Sequence, residues 1–572
     1  MKQMLVLLLL LVSLFIPSLT TPSCKLTIIG AGVGGLFSAF RLINSSAYAA
    51  SDVCIFEKTN RVGGRAQTLR GVFPTKSTVD VGAHKFKIPV HQITQSLVEK
   101  VFNLHTKCYS KSADCTDEEE GAAYFLREVY TGDAEKSAGL PYFFKANENW
   151  DNGDFQDPFN EILGLYPFIM DNIENLTSPD SSVRYPAMKQ TLDQLRTYQV
   201  NGLYPHQYCA RTLLNHSSEF RQFVVDAYGE SISNILLVNI YDVLREAIYY
   251  APTTFGKVIT DSQGNEIGYS TISESLAAKL VSMGVNLTYH KELSGIYNTL
   301  ASSQLTLKFS DGTSVQADNV ILNIPQKQLL QLSRDSIIFK NSTVNQLYEL
   351  FRPVAAGKAY FYYSQAWWLP VVNNELSTTN DLRYFEYLDS NVDDSDLNVA
   401  TNGNTSGTKA YLNIAYPSSQ EFCAYYESVR YDKTNPVVVI HANTTDLIRL
   451  RFFNDMKNLL KEAQKQLLKE NGIKVADIPD PEIFAMGLWP DGGWHQVPLS
   501  PNYFGGEPAR LMLHPIQGLP VYFVNEAYSV DQGWSEGSLI ASEKVAVMLG
   551  AGARPNWLGD QYWYDTVIVN NI

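Results

Sequence analysis

An α/β fold built around a parallel strand–helix–strand unit is what the sequence predicts, and three observations near its start carry the prediction. Lys25 to Ile29 (KLTII) is a short β-branched run, and GAGVGG follows at once as Gly30–Gly35. The next segment, LFSAFRLINSS, has helical apolar spacing at Leu36, Phe40 and Leu42–Ile43. A second strand, VCIF, then ends in Glu57. Strand, glycine turn, helix, strand, acid is the order that a Rossmann dinucleotide fingerprint requires. Gly30 permits the tight turn, Gly32 lets backbone approach a pyrophosphate, and Gly35 lets helix and strand pack closely. The helix N-terminus offers free N–H groups to the anion, and Glu57 can accept hydrogen bonds from ribose hydroxyls.

The rest of the chain must form further domains, because 572 residues exceed one core and suggest two to four. A net charge of −14 makes a nucleic-acid partner improbable, since such binding needs Lys and Arg on phosphates. Aromatics at 12% suit a ring-lined pocket, or equally an aromatic-rich core. Residues 1–20 read as a signal peptide: Lys2 gives a charged start, Leu5 to Ile16 is apolar, and small residues Ser18 and Thr20 follow. The apolar run is short of the roughly 20 residues that span a bilayer, and no later stretch is long enough. A soluble, secreted protein is therefore expected, cut just before a folded domain beginning near Cys24. Sequons at Asn44, Asn175, Asn215, Asn286, Asn341, Asn404 and Asn443 agree, with only some expected to carry glycans. Six cysteines fit disulfides in an oxidising compartment, Cys108–Cys115 being the first candidate pair and connectivity otherwise open. No Cys/His cluster has metal spacing, so no metal is expected.

Glu57 is followed by KTNRVGGR, whose paired glycines bring backbone close to a ligand and whose Arg65 can neutralise pyrophosphate charge. Glycine turn, acid and Arg61–Arg65 together resemble the GR2 flavoproteins, the FAD-dependent amine oxidases. The resemblance implies FAD held by Gly30, Gly32, Gly34, Gly35, Glu57, Lys58, Arg61, Gly64, Arg65, Gly82 and Ala83, with the Leu293 region passing near the adenine.

Residues 87 to about 250 read as largely helical with polar loops, DCTDEEEG (114–121) being a solvated acidic loop. Thr271–Glu274 looks like a capping box opening a helix through SLAAKLVSMG. Strands VNLTYH and ELSGIYN follow, then LTLKFSDGTSV as a hairpin with an Asp-Gly turn, then NVILNIP. Strands KAYFYY, KAYLNIAY and VVVIHA with a helix Leu447–Lys469 suggest a sheet-based domain. No repeat or linker separates these parts, so interleaved domains are expected. An amine oxidase fold would place 24–90, 251–340 and 481–550 in an FAD-binding domain, 91–250 in a helical domain and 341–480 in a substrate-binding domain.

The closing segment VYFVNEAYSVDQGWSEGSLIASEKV resembles that of the same family. There Glu526 would bind ribityl or pyrophosphate hydroxyls, and Gly533 and Trp534 would sit by the flavin ring, Gly533 bordering the substrate. The helix after them would point its positive N-terminus at the flavin. Asn525 departs from the glycine usual there. FRPVAAGKAYFYYSQAWW looks like the segment bearing the family's active-site lysine, here Lys358, a cation that helps O₂ reoxidise the flavin. That segment is similar to secreted L-amino acid oxidases of the aplysianin/escapin type, as is GLWPDGGWHQV, whose Trp489 and Trp494 would wall the pocket unless they are core residues. In VGAHKF the family's carboxylate-binding Arg is replaced by Lys85, preceded by His84. A lysine balances a carboxylate as a point charge rather than a fork, which loosens the case for α-amino acids.

The resemblance thus implies hydride transfer from a small amine or amino acid to FAD, hydrolysis of the imine, and O₂ as the oxidant, yielding H₂O₂. No cysteine follows Cys423, so FAD is expected to be noncovalent. Three readings stand: an L-amino acid oxidase, a flavin oxidase or isomerase of a polyamine or thioether, and a non-catalytic binding protein. A homodimer stays open.

Overall fold

The computed structural model describes residues 23–74, 78–108, 124–126, 129–131, 162–209, 212, 238–252, 255–298, 304–364, 377–378, 384–386, 410–415, 420–432, 435–470, 474, 476, 478–497 and 502–570. The expected signal peptide, the acidic loop, Cys115 and the sequons at Asn215 and Asn404 lie outside them.

The opening unit forms as its pattern requires. Strand β1 (Ser23–Ile29) and strand β2 (Val53–Phe56) pair in parallel around helix α1 (Val33–Asn44). All four residues of β2 and ten of twelve in α1 are buried, so this unit lies inside the molecule. Four more segments, β3 (Asn286–Thr288), β4 (Leu293–Asn298), β5 (Leu305–Phe309) and β6 (Ser314–Leu322), join β1 and β2 in the order β3-β2-β1-β6-β5-β4. The Asp-Gly hairpin links β5 and β6, and β6 runs on through the NVIL segment as one strand, because Val320 to Leu322 also pair in parallel with a later strand near residue 521.

A second, six-stranded sheet is centred on β7 (Arg352–Tyr363), with β8 (Ala410–Ala415), β9 (Val437–His441) and β10 (Ile483–Gln496). Sequence reading began β7 at Lys358; the strand begins six residues earlier, pairing Arg352 with Gln496 across β10. A flexible-looking FRPVAAG run is recruited by a long partner, which local propensity does not report.

Helices α2 (Ser181–Thr197), α3 (Ile240–Tyr249) and α4 (Thr271–Ser282) lie before β3, while α5 (Leu447–Glu470) and α6 (Ser535–Met548) follow β9 and close the chain. The span read as helical also contains strand His105–Cys108, paired with Phe255–Thr260, and a hairpin of Tyr124–Leu126 with Val129–Thr131. The capping box at Thr271 does not form: Ser270 is the N-cap, and its hydroxyl donates to Glu274 at 2.6 Å. Thr271 instead donates back to the Ile267 carbonyl, the alternative open to a hydroxyl one residue into a helix.

Cys24 of β1 and Cys54 of β2 form a disulfide across neighbouring strands. Sequence spacing gave no hint of it, because two cysteines 30 positions apart are brought into contact by the crossover helix. Cys108 is also disulfide-bonded, and Cys209 is a buried free thiol. Among the described residues, no helix is long and apolar enough to cross a membrane.

Candidate active site

One cavity of about 1290 Å³ runs along the edge where the two sheets approach each other. That exceeds the ~300–1,000 Å³ typical of small-molecule pockets, leaving room for a dinucleotide-sized group and a substrate. Of the residues singled out in the sequence, Gly30, Gly32, Glu57, Lys58, Arg61, Gly64, Arg65, Gly82, Ala83, His84, Lys85, Leu293, Lys358, Trp489, Glu526, Gly533 and Trp534 border it.

Gly34 and Gly35 do not. A Cβ on Gly35 would fall 2.2 Å from the Gly30 carbonyl oxygen, and one on Gly34 would fall 2.2 Å from Ser538 Oγ. Both glycines serve close packing, Gly35 against the turn and Gly34 against α6, whose Ser542 hydroxyl donates to the Gly34 carbonyl at 2.9 Å. The backbone of Trp494 lies opposite Val354 in the second sheet, and its side chain lies outside the described residues.

At one end, Gly32 is the N-cap of α1 and has no side chain of its own to offer the first turn, and Gly32 and Val33 face the cavity. A helix N-terminus opening on a cavity is an anion site. Glu57 anchors it: one carboxylate oxygen accepts from Ala31 N–H at 2.9 Å, the other from Thr59 N–H and Oγ1 at 2.9 and 2.8 Å. With its amide oxygen toward Gly35 N–H (2.8 Å), Asn323 donates to the Val524 carbonyl (3.1 Å) and ties turn, β6 and the C-terminal segment together. Arg61 grips its own loop through the Val62 and Gly64 carbonyls (3.2 and 2.8 Å) and lies 5.8 Å over the Trp489 ring. Burial lowers its pKa to about 10.

Midway along, Arg65 donates to Glu526 at 2.5 Å and to the Gly492 carbonyl at 3.1 Å, while His495 Nδ1 meets the other Glu526 oxygen at 2.6 Å. Burial alone would raise Glu526, but Arg65 and His495 outweigh it and hold the carboxyl well below its ordinary range. Asn525 uses its side chain here, accepting from Ala527 N–H at 3.1 Å and from Arg65 at 3.3 Å, which a glycine could not do. Trp489 donates its indole N–H to the Val81 carbonyl at 3.1 Å.

At the far end, Lys85 and Lys358 border the cavity, Lys358 standing in β7 opposite Gly487 and Ala415. His84 lies 4.0 Å from Glu266, which Lys107 also contacts at 3.2 Å. Burial pushes Glu266 up, yet these two cations prevail and keep it below its usual value. Trp534 is the N-cap of α6, with the ring of His91 edge-on at 4.9 Å and Lys87 Nζ at 5.5 Å. Glu536, next in the GW-x-E-G run, reaches back to cap another helix, accepting from Ile93 and Thr94 N–H at 2.8 Å each. The first turn of α6 thus opens on the cavity through Gly533, Trp534, Ser535 and Ser538.

Sequence reading missed several lining or supporting residues. Glu246 of α3 faces the cavity, and burial pushes its carboxyl up to about 7. An acid in an amphipathic helix reads as a solvated face, so nothing local marks it. His495 sat inside a quoted motif, but only the fold brings it to Glu526.

Comparison with known proteins agrees with this geometry. Residues 33–423 match the model of the flavin containing amine oxidoreductases. The chain is 22% identical over 551 residues to Aplysianin-A of Aplysia kurodai, spanning 91% of this chain and 89% of that protein. Among solved structures, putrescine oxidase bound to putrescine superposes with a TM-score of 0.57 at 13% identity, over 93% of this chain and 100% of that one. Cyclohexylamine oxidase from Brevibacterium oxydans IH-35A gives 0.56 at 15% identity, over 92% and 99%.

Proposed function

The chain belongs to the flavin-containing amine oxidoreductase family, and on that footing we propose that it is a secreted oxidase of L-amino acids or related small amines, holding FAD noncovalently. The observation that carries this reading is that the helix N-terminus and Glu57 line the same cavity as Lys85, His84, Lys358 and Trp534.

The residues fit a flavin dinucleotide. The start of α1 at the cavity suits the pyrophosphate, and Glu57, already fixed by Ala31 and Thr59, keeps lone pairs for ribose hydroxyls. Glu526, held ionised, suits hydroxyls further along, and the N-terminus of α6 suits negative charge on a reduced ring. The bound flavin supplies the two-electron acceptor and the donor to O₂.

The protein's share is then binding and orientation. Lys85 would balance a substrate carboxylate as a point charge, and Trp489 and Trp534 would shape the wall against which the substrate lies. Overall, amine, O₂ and water give 2-oxo acid or aldehyde, ammonia and H₂O₂. Lysine in place of a forked arginine favours a second reading, an amine without a carboxylate. Secretion is supported by the apolar run in residues 1–20, and noncovalent FAD by the lack of cysteine after Cys423.

The test is a visible spectrum of the purified protein followed by anaerobic addition of pooled L-amino acids. A flavin band that bleaches, and returns with peroxide on admitting air, is expected. A band that persists with amino acids but bleaches with simple amines would select the second reading, and a colourless protein would overturn both. In the same assay Lys358→Met should slow the return of the band in air roughly 10²-fold while slowing anaerobic bleaching far less, since a fixed cation acts where charge develops on oxygen.

A further inference from the structure

Five glutamates border the cavity. Glu57 is tied to Ala31 and Thr59, Glu526 to Arg65 and His495, and Glu427 to Arg430, while Glu292 stands beside Leu293 at the nucleotide end. Glu246 is different. It projects from α3, its exposed surface faces the cavity, and its carboxylate makes no hydrogen bond or ion pair among the described residues. It belongs to the substrate end: one turn on, Tyr250 donates its N–H to the Glu246 carbonyl, and Lys87 Nζ lies 5.7 Å from the Tyr250 ring and 5.5 Å from the Trp534 ring.

We propose that Glu246 is the proton acceptor that converts the substrate's ammonium to the free amine inside the cavity. An N–H bond of R–NH₃⁺ breaks, an O–H bond forms on Glu246, and a charged pair becomes a neutral one. The proposal rests on the amine oxidase reading, in which carbon gives up hydride only when the nitrogen lone pair is free to form the imine. A cavity that withdraws the pair from bulk water favours the neutral form, because desolvation penalises both charges. The same burial, with Arg245 and Lys87 opposing it and Asp242 reinforcing it, brings the Glu246 carboxyl to about 7. That is a suitable value for a base working near neutral pH.

The neighbouring groups are otherwise committed. Arg245 pairs with Asp242 at 2.8 Å. Asp531, whose carboxyl burial raises well above its ordinary value, accepts from Tyr250 at 2.5 Å. His91 is driven down to about 3 by burial and by Lys87. The lysines of the cavity, Lys85 and Lys358, disfavour a further cation beside them, which adds to the drive for proton transfer.

The experiment uses flavin-loaded protein and 2-aminoisobutyrate, an amino acid with no α-hydrogen to lose, and reads its Kd from the flavin spectrum between pH 6 and 9. Wild type should bind evenly above pH 7 and weaken below it as Glu246 takes a proton from solvent. Glu246→Gln should lose the flat region above pH 7 and bind only free amine, its affinity rising about ten-fold per pH unit without a break up to the amine's own pKa. Its kcat/KM for an oxidised amino acid at pH 7.5 should fall roughly 10²–10⁴-fold. An unchanged Kd profile in Glu246→Gln overturns the proposal while leaving the oxidase reading intact. A flat region above pH 7 that depends on Glu246, in a protein whose flavin no amine reduces, does the reverse. No binding by wild type at any pH sinks both. If Glu246→Gln fails to hold flavin, Glu246→Asp decides: it should keep the flat region above pH 7 at reduced kcat/KM, and an unchanged kcat/KM would count against Glu246.

Discussion

Replacing Glu526 with alanine should destabilise the protein by about 3–5 kcal/mol and strip it of most of its flavin. The side chain is 3% exposed and holds two partners at once, Arg65 at 2.5 Å and His495 at 2.6 Å. Its removal takes the carboxylate from both a guanidinium and a buried imidazole, so the cost is that of breaking a buried pair by deleting one partner. Glu526→Gln should cost less, because it keeps the shape and one acceptor. The pH dependence follows from the depressed carboxyl. A group held below its unfolded value contributes stability that is complete above the ordinary carboxylate range and lost as pH falls through the folded value. Wild type should therefore begin to lose this stability, and flavin with it, as pH falls below the ordinary carboxylate range and lose the rest in strong acid, and Glu526→Gln should lack that component. Chemical denaturation and bound-flavin absorbance at stepped pH values would check it. An alanine variant that retains wild-type flavin content would contradict the role given to this residue.

The second large effect is expected at Gly35. An alanine there puts its Cβ 2.2 Å from the Gly30 carbonyl oxygen and 3.0 Å from the Asn323 side-chain amide. The carbonyl is backbone, held in a turn whose Gly30 N–H bonds the Phe56 carbonyl at 2.8 Å, so it cannot swing aside as a side-chain tip would. Helix α1 must move away from β1, at about 1–3 kcal/mol or more of overpacking strain. The helix N-terminus moves with it, and flavin affinity should fall more than ten-fold. Gly164→Ala is the matched control, because a Cβ there meets nothing within 4 Å. Equal flavin retention in the two variants would mean that the cradle tolerates displacement and that Gly35 was misjudged.

Much of the nucleotide end was legible in the sequence. Gly30, Gly32, Glu57 and Arg61 to Arg65 lie within 36 residues, and short-range order fixes their relation: a tight turn must follow β1, and a helix must start on it. The substrate end was read less well. Lys85, Lys358 and Trp534 were found through resemblance, and the structure brings them to the same cavity. Glu246 went unnoticed because a lone acid on a helix looks the same whether it meets solvent or an enclosed cavity. His495 went unnoticed because its partner is 31 residues away across a sheet edge.

The sequence alone thus determined the α/β class, the crossover unit and the glycine turn. These depend on steric and hydrogen-bonding rules that act over a few residues, and so each leaves a periodic or positional trace. Only the tertiary structure decided that Arg65 pairs with Glu526, that Cys24 bonds Cys54, that Gly34 spaces α6 rather than lining the cavity, and that β7 starts at Arg352. Each of those depends on which distant segment arrives alongside. Burial, and the charge state of Glu246 and Glu526 with it, is a property of that arrival and is written in no local pattern.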